Sequence, residues 1–548
     1  MRRPALCAAT VGLLVLPASA AGSDAPTGRL LVTLKAPAAG HAQAAAARAV
    51  AGRAHARPTS LSIPQLRVVG VRAQRGASLR ALAGRLRKDP RVAGVRAERR
   101  FSLRYVPNDP GFTTTERGEN GTTTEWWALR EGLPAAWDII RGEGARVAII
   151  DTGIDASHPE LAPRIIETAD FDDEPGDGPA TVDEVGHGTH VASMACAATD
   201  NGIGIGGAGG NCDLLIAKSD LTEGSVAKAI IWAADNGAEA INMSFGTDGR
   251  VPAADAVVQA LKYANDKGAV LVAAAADDPV IEQGDPANVL QPTDTGANLA
   301  QNLGLSVTAA NATDARAAFA GRGTQISMAA YGTYGPGGSS GLLGAFPTDT
   351  TTIERGSSVP QQAPCHCRTV FNGDNRYAYL PGTSMAAPMV AAVAALMRHI
   401  NPYLPPSEVV RILKQTARRA NNVGWTPELG WGILDAGAAL AAARAIDRRP
   451  PTSALQRPVV RGRSISLRWR GQDDTVPGVA ATGIDHFEIW RAAGQGRARR
   501  IKSTRAHTMR LRGVRGQRYS FFTIAVDHAG NREAPPVKAD ASVRLARR

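Results

Sequence analysis

The chain has 548 residues, a formal net charge of +12 and a pI near 9.8. That length exceeds a single hydrophobic core and suggests about three domains. Residues 107–447 carry 40 acidic and 21 basic side chains, whereas residues 21–106 carry 3 and 17. A basic pI alone would point to nucleic acid, but a basic leader ahead of an acidic middle is explained by attraction within the chain, so no nucleic-acid partner is expected.

In chain order, Arg2-Arg3, an apolar stretch over residues 5–16 and Ala18-Ser19-Ala20 read as a signal peptide over residues 1–20. Its apolar run is too short to span a bilayer, and no later segment reads as a span. A secreted, extracellular protein is expected, with an uncleaved anchor as the alternative. Residues 28–100 read as a small α/β unit: a strand at 29–34, an Ala-rich helix at 42–50, a strand at 66–71, helical spacing of Leu79, Leu82, Ala83 and Leu86, and a strand at 92–95. Val147-Ala148-Ile149-Ile150 reads as a buried parallel strand ending at Asp151. His187 opens a helical pattern, Val270-Leu271-Val272-Ala273-Ala274 is a further buried strand, and Ser384 precedes the apolar helix at 389–397. Alternating strands and helices predict an α/β fold, a doubly wound parallel sheet with helices on both faces. Residues 331–379, rich in Gly, Ser, Thr and Pro, read as a long loop beside Ser384. After the linker Arg448-Arg449-Pro450-Pro451-Thr452, a period of two around Ile465, Phe487 and Tyr519 predicts a β-sandwich over residues 448–548.

Three motifs carry chemistry: Asp151-Thr152-Gly153, His187-Gly188-Thr189-His190 and Gly382-Thr383-Ser384-Met385-Ala386-Ala387-Pro388. A serine hydroxyl becomes a nucleophile only with a base in reach and a carboxylate to orient that base. A strand end and two helix starts are where open α/β sheets place such groups. Together with Trp126-Trp127, Asn242-Met243-Ser244-Phe245-Gly246 and Gly430-Trp431-Gly432, the motifs resemble those of the subtilisin-like serine proteases, the subtilases, over residues 107–447.

The resemblance implies a serine endopeptidase acting on proteins or peptides through an acyl-enzyme, with Asp151, His187 and Ser384 as triad. It implies that Ser244, Phe245, Gly246, Ala275 and Ala276 line the substrate site. It makes residues 21–106 a ferredoxin-like inhibitory propeptide, removed autocatalytically, whose tail at 99–105 enters the cleft. The last domain resembles fibronectin type III modules, and a monomer is expected. Calcium is the one cofactor implied, a structural ion held by Glu160, Thr199, Asn201, Ile203 and Ile205. One residue departs from the family: Asp277 stands where most subtilases place the oxyanion-binding Asn, and an ionised carboxylate cannot donate a hydrogen bond. A rival expectation is therefore a pseudoprotease that binds without turnover.

Once Cys7 leaves with the signal, Cys196, Cys212, Cys365 and Cys367 allow three disulfide pairings. Cys196–Cys212 is favoured, because one lies on the His187 helix and the other at its return strand. Cys365 and Cys367 would then close a very small ring, with zinc as the alternative.

Overall fold

The computed structural model describes residues 26–35, 40–74, 78–99, 105–117, 121–172, 178–299, 302–335, 341–358, 361–362, 364–419, 424–473 and 481–547. The expected signal peptide and most of the expected tail (residues 100–104) lie outside them. The chain divides into two units, Met1–Arg104 and Tyr105–Arg548.

The first unit runs β1 (Pro26–Leu34), α1 (Gly40–Arg53), β2 (Ala56–Ile63), β3 (Val68–Ala73), α2 (Leu79–Arg87), β4 (Val92–Arg99), and its antiparallel sheet has the order β2-β3-β1-β4. Leu30, Val32 and Leu34 alternate inward and, with Val69 and Val71, pack on Val50, Leu82 and Leu86. The Ser78 hydroxyl accepts from the Ala81 amide and caps α2. β2 is the element missing from the sequence reading; most of its residues are exposed, so it carries no apolar alternation.

The second unit begins with α3 (Trp126–Arg130) and α4 (Leu133–Trp137). It continues through β5 (Arg146–Asp151), β6 (Ile165–Asp170), α5 (His187–Cys196), β7 (Asp213–Lys218), α6 (Glu223–Asp235), β8 (Ala240–Met243), α7 (Asp255–Asp266), β9 (Val270–Ala274), α8 (Ala287–Leu290), β10 (Leu305–Ala310) and β11 (Met328–Tyr331). These seven strands form one parallel sheet of order β11-β10-β9-β8-β5-β7-β6. Alternation along the strands builds two cores: Val147, Ile149, Leu214, Ile216 and Val272 face one layer, while Ala148, Ile150, Leu215, Ala217 and Leu271 face the other. β5 lies between β7 and β8, where the winding reverses, and Asp151 ends it at the carboxyl edge, the place such sheets use for ligands.

The segment read as a loop is instead structured. It holds β12 (Leu342–Ala345), α9 (Thr352–Arg355), the short pair β13 (Ser357–Ser358) and β14 (Gln361–Gln362), β15 (Arg368–Phe371) and β16 (Asp374–Leu380). β12, β16 and β15 form an antiparallel sheet, and the Gly, Ser, Thr and Pro between these short strands conceal it. Buried His190 fastens this sheet to α5: its Nε2–H donates to the Leu342 carbonyl (3.1 Å) and the Ala378 carbonyl (3.2 Å), and burial pushes its pKa down to about 4, leaving the ring neutral. Then follow α10 (Thr383–Ile400), α11 (Pro406–Thr416) and α12 (Ala436–Ala445). Contrary to the sequence expectation, α10 is long and apolar enough to cross a membrane, but 83% of it is buried, as befits a core helix.

The sandwich contains β17 (Thr452–Leu455), β18 (Val459–Arg461), β19 (Ser464–Gln472), β20 (Ile484–Ala493), β21 (Arg499–Thr504), β22 (Thr508–Arg512), β23 (Arg518–Asp527) and β24 (Ala541–Arg544). One sheet is β17-β19-β18 with β22 also on β19; the other is β21-β20-β23-β24. Leu467, Trp469, Phe487, Ile489 and Phe521 fill the space between them. Both favoured disulfides, Cys196–Cys212 and Cys365–Cys367, are present, which removes the zinc alternative.

Candidate active site

Asp151 is buried at the end of β5, and its Oδ1 accepts from His187 Nδ1 at 2.7 Å and from the Thr152 amide at 2.9 Å. Its Oδ2 is buried without a partner among the described residues. His187 is the first residue of α5. Gly186, just before it, has φ +93°, and a Cβ there would lie 2.7 Å from the Phe346 ring. Gly188 is required by contact instead: a Cβ there would meet the Gly153 carbonyl at 2.2 Å. Burial works to lower the His187 pKa, but the Asp151 charge and hydrogen bond outweigh it, so the net shift is upward.

A residue missed in the sequence ties these two motifs together. Buried Asp183 accepts from the Gly186 amide (2.8 Å), the Thr152 hydroxyl (2.9 Å), and the Thr189 amide and hydroxyl (2.8 and 2.7 Å). It is a positioning residue: it fixes the start of α5 against the Asp151 turn. The four-residue spacing to His187 is the only sign in the sequence, and it resembles an ordinary helix-start acid.

Ser384 is the second residue of α10. Its hydroxyl donates to the Ser244 carbonyl at 3.0 Å, while the Ser244 hydroxyl donates to the Ser384 carbonyl at 2.9 Å and accepts from Asn242 Nδ2 at 2.9 Å. The structure thus brings Asp151 and His187 together directly. Among the described residues, no hydrogen bond joins Ser384 Oγ to His187. Such bonds are commonly loose in enzymes without substrate, and rotation about the Ser384 Cα–Cβ bond frees the hydroxyl from Ser244.

Ser244, Phe245 and Gly246 follow β8, and Ala275 and Ala276 follow the adjacent β9, all at the same sheet edge. Ser244 is buried and engaged with Ser384, whereas Gly246 is exposed. Asp277 comes next. Its Oδ1 accepts from the Thr383 amide (2.8 Å) and hydroxyl (2.9 Å), and its Oδ2 lies 3.2 Å from where a Gly382 Cβ would stand. The residue is exposed as a whole, but its carboxyl end turns against the start of α10. Desolvation raises its pKa, opposed by the Thr383 hydrogen bonds and by His187.

Of the expected calcium ligands, Glu160, Asn201 and Ile205 are brought together. Fully buried Glu160 accepts from the Ile205 amide (2.8 Å), the Tyr377 hydroxyl (3.0 Å) and Asn201 Nδ2 (2.9 Å), and burial pushes its pKa up to about 7. Thr199 and Ile205 are buried, while Ile203 is exposed. Asp109, absent from the sequence reading, accepts the Asp200, Asn201 and Gly202 amides of the same loop. Nearby Glu125 is fully buried, and among the described residues both its carboxylate oxygens are unpartnered. An orphaned buried carboxylate among other carboxylates suits a hard cation.

A profile of the Subtilase family matches residues 142–432. The chain belongs to the subtilase family. Among relatives of this subtilase, it is 31% identical to a thermophilic serine proteinase of a Bacillus strain, over 63% of this chain and 73% of that one. It is 32% identical to thermitase of Thermoactinomyces vulgaris, over 54% and 85%. A solved structure of a protease from Pseudoalteromonas arctica is 28% identical and covers 60% of this chain and 99% of its own, with a TM-score of 0.47. The subtilase is accordingly a subtilisin-like serine peptidase, and its relatives are named as proteinases.

Proposed function

We propose that this subtilase is a secreted endopeptidase made as a zymogen. Ser384 Oγ attacks the scissile carbonyl carbon while His187 Nε2 takes its proton. The tetrahedral intermediate collapses with transfer of that proton to the leaving amine, and water then hydrolyses the ester by the same route. Asp151 holds the imidazole tautomer and stabilises the imidazolium. The Ser384 amide, at the start of α10, supplies one oxyanion donor, and Asp277, when protonated, supplies the second. The observation that carries this reading is the 2.7 Å Asp151–His187 pair at the edge where α10 presents Ser384. Labelling of Ser384 by a fluorophosphonate probe tests it: labelling and proteolysis, both lost in Ser384→Ala, are expected, and a folded protein that resists the probe would refute it. The pseudoprotease reading draws on Asp277 and on the Ser384 hydroxyl bound to Ser244, and the same experiment separates the two.

Residues 21–106 serve as inhibitory propeptide; the β1-α1-β2-β3-α2-β4 order and the opposite charges support this. Glu160, Asn201 and the backbone oxygens of Thr199, Ile203 and Ile205 would hold a calcium ion, which would supply charge neutralisation and rigidity to the loop.

A further inference from the structure

One sheet face of the sandwich is built around arginine. Residues 448–548 hold 22 basic and 7 acidic side chains, and the strand register shows where five of the bases stand. Along β19, Ile465, Leu467 and Trp469 turn into the core. Ser464, Ser466, Arg468 and Arg470 alternate with them and face outward. Directly paired residues of antiparallel strands share a face. Arg461 of β18 pairs with Ser464, and on the other side of β19 Arg512 and Arg510 of β22 pair with Ser464 and Ser466. Arg461, Arg468, Arg470, Arg510 and Arg512 therefore lie on one surface, and all five are exposed.

Their partners across the register, Ala454 and Thr508, and Val459 beside Ser466 are uncharged. Among the described residues, none of the five guanidinium groups has an ion-pair or hydrogen-bond partner. Arginines elsewhere in the domain differ: Arg500 and Arg532 both bind Glu488, and Arg505 binds Asp485. Strand spacing of about 4.8 Å and a rise of about 3.4 Å per residue put Arg510 about 7 Å from Arg512 at Cα, Arg468 as far from Arg470, and Arg461 about 10 Å from Arg512. A solvated surface mixes both signs, and like charges side by side repel. A guanidinium grips a carboxylate through two parallel hydrogen bonds, so a row of carboxylates would relieve this repulsion. A flat sheet face does not enter a duplex groove, which admits a helix or a two-stranded ribbon. The register gives it no aromatic ring for a base to stack on, and Val459 alone is too little apolar surface to enter a bilayer.

We infer that this face docks the subtilase onto a linear acidic polysaccharide, whose carboxylates lie across β18, β19 and β22. The sandwich thereby holds the peptidase on a polymer that its own acidic region would otherwise repel. The inference goes beyond the peptidase reading and does not depend on it.

The test uses the full chain bearing Ser384→Ala, which prevents self-digestion, and polygalacturonate as probe. Neutral dextran, duplex DNA and phosphatidylglycerol vesicles serve as comparisons. Arg468→Ser/Arg510→Ser/Arg512→Ser removes three charges from the face. Arg497→Ser/Arg499→Ser/Arg515→Ser removes three exposed charges elsewhere in the sandwich. The basic leader is common to all three proteins, so the comparison between them isolates the face. The parent should bind polygalacturonate and not dextran. The face variant should bind it roughly 100-fold more weakly and with a shallower dependence on salt, by about one unit of log–log slope per charge removed. The second variant should bind like the parent. Equal weakening in both variants would overturn the proposal, because net charge and not the face would then be responsible. Tighter binding to DNA or to vesicles than to polygalacturonate would overturn it in favour of those partners. Self-association in sedimentation without binding to polygalacturonate would overturn it in favour of the acidic peptidase of a second copy.

Discussion

In the proposed mechanism, the pH response of this subtilase is set by two side chains that interact electrostatically, His187 and Asp277. Catalysis needs His187 neutral, and its pKa is raised by Asp151 and further by Asp277, so the acid limb of the rate profile lies above the ordinary imidazole value. Asp277 helps only while protonated. Its pKa is raised by burial, so help extends above the usual carboxylate range and fails as pH climbs through the shifted value, where a donor becomes a repelling charge. Asp277→Asn fixes an amide donor at every pH. It should raise alkaline kcat, by up to the order of 10²–10³ that loss of such a donor costs in a subtilisin. A kcat/KM profile against pH reads both limbs, and an unchanged profile would show that Asp277 does not face the oxyanion.

At the scale of elements, α3 is joined to the edge of the main sheet by another buried acid. Glu131 Oε1 accepts from the Tyr331 amide of β11 at 2.9 Å, its Oε2 has no partner among the described residues, and burial pushes its pKa up to about 8. The folded pKa exceeds the unfolded one, so the stabilisation is complete below about pH 4.5 and is lost as pH rises toward 8. Each tenfold change in proton affinity on folding is worth about 1.4 kcal/mol, so the loss amounts to a few kcal/mol. Glu131→Gln keeps the Tyr331 bond and removes the titration. Its melting temperature should be flatter than the parent's between pH 5 and 9, and equal slopes would contradict the assignment. Such residues mark where sequence reading stops. The runs at 147–150 and 270–274 were legible because strands buried on both faces are apolar throughout, and Asp151, His187 and Ser384 because they stand at element ends. β2 and the β12-β16-β15 sheet were not, because exposure erases the alternation in the first and polar connections break up the short strands of the second. Asp183, Glu125 and Glu131 act through backbone amides or through burial, and spacing does not encode either.

At the scale of the whole molecule, the sandwich holds none of the groups assigned to the reaction, yet it is not merely appended. Asp447 Oδ2 accepts from the Thr482 amide (2.7 Å) and hydroxyl (2.9 Å), and Asn531 Nδ2 donates to the Asp447 carbonyl (3.1 Å). The last turn of the peptidase region has its own anchor, since Asn401 Nδ2 donates to the carbonyls of Ala443 and Ile446. A chain ending at Asp447 should therefore cleave short peptides with the parent's kcat/KM but melt a few degrees lower. A folded truncation without activity would assign the sandwich a part in the site. At the other end of the chain, the leader is basic, whereas the middle region carries 40 acids and 21 bases. Complementary charge speeds encounter more than it deepens affinity, and the screening length falls from about 10 Å at 0.1 M salt to about 3 Å at 1 M. Residues 21–106 added in trans to the processed enzyme should inhibit it, with an association rate that falls steeply between those concentrations and a dissociation rate that changes little. Stopped-flow inhibition kinetics separate the two. An association rate indifferent to salt would mean that the charge division serves something other than the meeting of leader and peptidase.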